Sequence, residues 1–131
     1  MRLSNYADAL NLLGDENRLR LCALLGEREL CVTDLVRVTG ISQSRVSTHL
    51  GRLREAGFVR DRRQGTQCFY ALAPDTVPEP VKALLDEAAK SSDPTLAADQ
   101  RRLLEFEAER RGGLPESVTD DFERDYSPGR T

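Results

Sequence analysis

The sequence predicts a mainly α fold that carries one small β-hairpin. Three observations predict it. Apolar residues recur at helical spacing over much of residues 4–56 and again over 81–106. Two β-prone runs, Phe58-Val59-Arg60 and Gln67-Cys68-Phe69-Tyr70-Ala71-Leu72, flank a Gly-containing basic loop, Asp61-Arg62-Arg63-Gln64-Gly65-Thr66. Immediately before them, a short helix, a glycine turn and a longer polar-faced helix follow one another. That order is a helix-turn-helix followed by a wing.

Taken in turn, Ser4 can cap a first helix to about Gly14, with Tyr6, Ala9, Leu10 and Leu13 as its apolar stripe. Asp15 or Glu16 starts a second helix, Asn17 to Leu25, stopped by Gly26. Leu19, Leu21, Cys22, Leu24 and Leu25 make it apolar over much of its surface, so it should sit centrally. Glu27-Arg28-Glu29 is a polar break. Val32 to Val38 is a short helix ended by Gly40.

Residues 41–57 organise the rest. Ser42 is a good N-cap, and Val46, Leu50 and Leu53 form one apolar face of a helix stopped at Gly57. The opposite face carries Ser44, Thr48 and Arg52, with Gln43, Arg45 and Ser47 on its N-terminal flank. Small, polar and basic, it can approach a surface, donate hydrogen bonds and meet phosphate, as a helix in a DNA major groove must. His49 lies toward the core side, where packing or one phosphate bond suits it better than base reading.

The charge distribution agrees. The chain of 131 residues has a net charge of −3, which alone argues against nucleic acid. Residues 1–73, however, hold 11 Lys and Arg against 8 Asp and Glu, a net of +3, and residues 74–131 hold 8 against 14, a net of −6. Residues 37–63 hold seven Arg against two acids, a net of +5. The global sum hides a local basic patch. Arg62 and Arg63, in the expected wing loop, are placed to touch phosphates beside the recognition helix.

Beyond the wing, residues 73–80 form a Pro-containing linker. Val81 to Ala88 is helical, and Asp93-Pro94 restarts a helix that runs through Leu103, Leu104 and Phe106 to Arg111. A winged helix has little groove left for two more amphipathic helices. Their apolar faces, with that of the first helix, are expected to make a dimer. The fold class is therefore mainly α with a small β-hairpin: a winged helix-turn-helix with additional dimerisation helices. Its domain spans 1–111, with the helix-turn-helix at 32–56, the wing at 58–72 and C-terminal helices at 77–111. Residues 112–131 are a tail or linker in which Leu114, Val118, Phe122 and Tyr126 allow a short helix over 116–125.

Several strings resemble the ArsR/SmtB family of bacterial winged-helix repressors. They are Ala9-Leu10 to Asn17-Arg18-Leu19-Arg20, Glu29-Leu30-Cys31-Val32-Thr33-Asp34-Leu35, Ser42-Gln43-Ser44-Arg45-Val46-Ser47-Thr48-His49-Leu50 and Leu53-Arg54-Glu55-Ala56-Gly57-Phe58-Val59. The likeness covers about residues 4–75. It implies a homodimer that binds an imperfect inverted repeat in double-stranded DNA and lets go when an inducer binds, while one His, no paired carboxylates in an evident cleft and no nucleophile motif argue against an enzyme. It implies that Gln43, Ser44, Arg45, Ser47 and Thr48 meet base edges and nearby phosphates, while Arg52, Arg62 and Arg63 meet the backbone. Thr48 stands where many members have a basic residue, so the operator does not transfer.

The sensor departs from the family. Arsenic-type members pair two thiols in Glu-Leu-Cys-Val-Cys-Asp-Leu, because a soft ion needs thiolates close together. Here Cys31 is followed by Val32 and Thr33. Residues 77–111 contain neither His nor Cys, so the zinc-type donor set is not expected. Three thiols remain. Cys22 reads as a small core residue, and Cys68 packs or faces solvent. Cys31 opens the short helix, where amide dipoles can lower a thiol pKa, which makes it the weak candidate for a soft-metal ligand or reactive thiol. A Cys22–Cys31 redox pair is the alternative sensor. The inducer is thus left as a soft metal, an oxidant or a small molecule, with no certain cofactor.

The odd cysteine number, the absence of a charged-then-apolar N-terminal pattern and the absence of a long apolar run point to a reducing cytoplasm and to no membrane. Glu123 to Thr131, after Gly112-Gly113, resembles the junction of ArsR-type proteins fused to an S-adenosylmethionine-dependent methyltransferase. The alternative reading is therefore a regulatory N-terminal domain of such an enzyme, or a sensor of S-adenosylhomocysteine.

Overall fold

A computed structural model describes residues 2–113. The order of elements is α1 (Leu3–Leu13), α2 (Glu16–Leu25), β1 (Leu30–Cys31), α3 (Val32–Thr39), α4 (Gln43–Glu55), β2 (Val59–Gln64), β3 (Gln67–Leu72), α5 (Glu79–Ala89) and α6 (Pro94–Gly113). The expected helix at 116–125 and most of the 112–131 tail lie outside the described residues.

Local chemistry explains most boundaries. The Asp15 carboxylate accepts from the amides of Asn17 at 2.9 Å and Arg18 at 3.1 Å, capping α2. Ser42 Oγ accepts from the Arg45 amide at 3.3 Å and caps α4. Asp93 does the same for α6, accepting from Thr95 at 3.0 Å and Leu96 at 3.1 Å. Gly40 closes α3 in the left-handed region at φ +76°, which a side chain would strain. The expected Ser4 cap is not formed. Helix α1 starts earlier, at Leu3 after Arg2, and the Ser4 hydroxyl donates to Asn5 Oδ1 at 3.5 Å instead.

The β structure differs from expectation in two ways. There is a third strand, β1, giving an antiparallel sheet in the order β1-β3-β2. Leu30 pairs with Tyr70 and Cys31 with Phe69. In addition, β2 runs on to Gln64, so the expected six-residue loop shrinks to Gly65-Thr66. Arg62 and Arg63 are strand residues, and alternation sends them to opposite faces.

One core joins these elements. Ala9 and Leu13 of α1, Leu21, Cys22 and Leu24 of α2, Leu35 and Val38 of α3, and Val46, Leu50 and Leu53 of α4 are all buried in it. Leu30 and Val59 of the sheet, Leu85 of α5 and Leu103 and Phe106 of α6 join it. Helix α2 is central, with Leu21, Cys22, Ala23, Leu24 and Leu25 of its C-terminal half all buried. Among the described residues, no helix is long and apolar enough to cross a membrane.

Candidate nucleic-acid interface

Helix α4 turns Val46, Leu50 and Leu53 into the core, and this fixes what faces out. Gln43, Ser44, Arg45, Ser47, Thr48 and Arg52 are exposed. The Thr48 hydroxyl donates to Ser44 O at 2.9 Å. Among the described residues, no carboxylate pairs with Arg45 or Arg52. Arg54, further along, is held by Asp61 of β2 at 2.9 Å and ties the helix end to the wing.

His49 is withdrawn from this face. Its Nδ1 lies 3.3 Å from an Arg18 Nη1, and its Nε2 lies 3.9 Å from Asp15 Oδ1. A guanidinium can only donate, so this contact favours the tautomer whose Nδ1 accepts. Burial pushes its pKa below the usual value, and the Arg18, Arg52 and Arg45 charges add to this against the pull of Asp15. Asp15 is in turn lowered, chiefly by the Arg18 amide.

The two wing arginines part company. Arg63 is exposed on β2, and none of the described carboxylates pairs with it. Arg62, expected at a phosphate, is engaged within the protomer instead. Its side chain is only 9% exposed, its Nε and Nη2 fork onto Glu29 at 2.8 and 2.7 Å, and Nη1 donates to Gln64 at 2.6 Å. The guanidinium also covers the Phe69 ring at 5.2 Å. This bidentate pair pins the wing to the segment before β1.

Cys22 is the core residue expected, but Cys31 differs from expectation. Cys31 precedes α3 and joins Asp34 in a capping box, with its amide donating to the Asp34 carboxylate at 3.2 Å. Yet burial outweighs the helix amides and pushes the Cys31 thiol up rather than down. Cys22, fully enclosed in α2, is pushed up to about 12 by burial. Cys68, half-buried, lies 3.5 Å from Asp61 Oδ2, and burial raises it too. All three are free thiols. Among the described residues, no three His, Cys, Asp or Glu side chains converge as a metal site would require. In the native protein an alkylating reagent should therefore label Cys68 first, with Cys22 and Cys31 following only on unfolding. Mass spectrometry of timed iodoacetamide reactions checks this; early labelling of Cys31 would contradict it.

Sequence reasoning missed several residues. Glu29 looked like part of a polar break, and Arg20, Thr39 and Asp99 carried no local signal. Arg20 grips Asp99 through Nε and Nη2 at 2.8 and 2.9 Å and donates to Thr39 O at 2.8 Å. A cleft of about 440 Å³ also opens between α1, α4 and the segment after β3, lined by Asn5, Asp8, Arg18, Arg52 and Phe58 among others.

A three-stranded wing behind a capped, polar-faced helix on a helical core defines a winged helix-turn-helix transcription regulator. The family model described as bacterial regulatory protein, arsR family, matches residues 15–61. The chain is 40% identical over 95 residues to the arsenic resistance transcriptional regulator ArsR1 of Pseudomonas putida, covering 72% of this chain and 73% of that protein. It is 40% identical over 93 residues to the arsenical resistance operon repressor of Escherichia coli, covering 70% and 79%. The homodimeric winged helix-turn-helix DNA-binding domain of Mb0332 from Mycobacterium bovis matches with a TM-score of 0.57 at 28% identity, covering 70% of this chain and 83% of that one. The chain belongs to the ArsR family of DNA-binding transcriptional repressors.

Proposed function

We propose that the protein is a homodimeric repressor that lays two copies of α4 in successive major grooves of an inverted repeat and is released by an inducer. The observation that carries this is the outward face of α4, where Gln43, Ser44, Arg45, Ser47, Thr48 and Arg52 stand exposed on a helix fixed from behind. Bases are read in the major groove by such side chains, roughly 34 Å apart in a two-fold dimer. Arg52 and Arg63 contact phosphate. His49, held by Arg18, orients α4 on α2 rather than reading bases. The protein works in the cytoplasm, where its DNA lies.

Dimerisation is supported by large apolar side chains left in solvent. Leu3, Tyr6 and Leu10 project from α1, Leu84 from α5 and Leu104 from α6. The inducer is a soft ion or oxidant at a thiol, or a metabolite in the cleft beside Asp8, Arg18 and Arg52. Either acts by binding the DNA-free geometry better than the DNA-bound one.

The test is anisotropy with DNA from upstream of the protein's own gene, at several salt concentrations. Arg45→Ala should cost about 1–3 kcal/mol on the operator and much less on unrelated DNA. Arg63→Ala should weaken both alike and shallow the salt slope by about 0.9 for each phosphate that the protein no longer neutralises. Unchanged operator affinity in Arg45→Ala would remove α4 from the interface.

A further inference from the structure

Helix α6 faces two ways. Asp99, Leu103 and Phe106 are buried against α2 and α3, while Leu104 is 66% exposed on the other side. Asp99 is 1% exposed, an unusual place for a carboxylate in a helix that is otherwise largely polar. Both of its oxygens are taken by Arg20. The same guanidinium continues to the carbonyl of Thr39, the last residue of α3. Thr39 is itself buried, with its hydroxyl donating to Leu35 O at 2.7 Å and accepting from the Ile41 amide at 3.1 Å. After Ile41 comes Ser42, the cap of α4. One unbroken set of bonds thus runs from α6, through α2, to the turn between α3 and α4.

We infer that Asp99 and Arg20 are positioning residues for DNA recognition, fixing the turn at Thr39-Gly40-Ile41 and so the pitch of α4, and that a shift of α6 is read at α4 through them. This rests on the operator-binding reading above. A charge pair kept only for stability could sit anywhere between packed helices. This one ends on the turn itself, and a buried pair serves geometry better than it serves net stability. Helix α6 also carries Leu104 on its outer side, so a partner or inducer that moves the outer face moves Asp99 with it.

Asp99→Asn keeps the shape and removes the charge. Thr39→Val reaches the same turn from outside α6, by removing the acceptor of the Ile41 amide. Leu103→Ala is the control, a cavity in α6 that leaves the bonds intact. Each full-length variant is titrated with operator and with scrambled DNA, under conditions where circular dichroism shows it folded. The ratio of the two affinities should fall about tenfold in Asp99→Asn and Thr39→Val. It should stay within about twofold of wild type in Leu103→Ala, since a loss of folded fraction scales both affinities alike. A preserved ratio in Asp99→Asn overturns the inference, and if that variant is unfolded the ratio in Thr39→Val decides. Should wild type itself show no operator preference, the operator reading has failed, and hydrogen exchange judges the turn. The Ile41 and Val46 amides should then exchange faster in Asp99→Asn than in Leu103→Ala, and equal rates overturn the inference.

Discussion

Leu10→Glu should split the protein into monomers and weaken operator binding by about 10²–10⁴-fold, the avidity that disappears when two linked half-sites become one. Leu10 is 72% exposed, and it shares the outer face of α1 with Leu3 and Tyr6. The inner face of the same helix buries Ala9 and Leu13 on the core, so α1 is folded against the protomer while offering a second apolar surface. A charge at Leu10 has little to disturb within the protomer. In a dimer it would have to be buried unpaired, at a cost of several kcal/mol. Sedimentation equilibrium gives the mass of each variant, and anisotropy gives the affinity. A dimeric Leu10→Glu with normal affinity would move the interface off α1, toward Leu84 and Leu104 alone. Residual binding by the monomer should retain the effect of Arg45→Ala, because Leu10 points away from the core face through which α1 packs on the protomer.

What could be read in the sequence divides by range. The cap at Ser42, the stripe of Val46, Leu50 and Leu53, and the left-handed stop at Gly40 are set within a few residues, so periodicity and capping chemistry reveal them. The outward face of α4 follows from that stripe without further information. Strand β1 does not, because two residues are too few to show alternation and it exists only through its register with Tyr70 and Phe69. Asp99 and Arg20 are 79 positions apart, and nothing near either of them announces the other. Cys31 shows a different limit. The amides at the start of α3 and the burial of the thiol act in opposite directions, and only the packing says that burial prevails.

Arg62 and Arg63 look interchangeable in sequence, yet their replacement should give opposite outcomes. Removing Arg62 leaves the Glu29 carboxylate buried without its fork and uncovers Phe69. Breaking such a pair from one side costs roughly 3–5 kcal/mol. Arg62→Ala should therefore lower stability by about that amount in urea unfolding at fixed protein concentration, with Glu29→Ala close behind. Arg63→Ala, on the exposed face of β2, should change stability by no more than about 0.5 kcal/mol. DNA reverses the order. Arg63→Ala should flatten the salt slope, whereas Arg62→Ala, measured where it is folded, should retain the slope because its guanidinium is committed to Glu29. The double variant Glu29→Gln with Arg62→Gln tests the cause. If the cost is an orphaned charge, replacing both partners should recover much of the stability missing in either single variant, a coupling that only the pair can show. A double variant as unstable as the two singles combined would mean that Arg62 holds the wing by covering Phe69 rather than by neutralising Glu29.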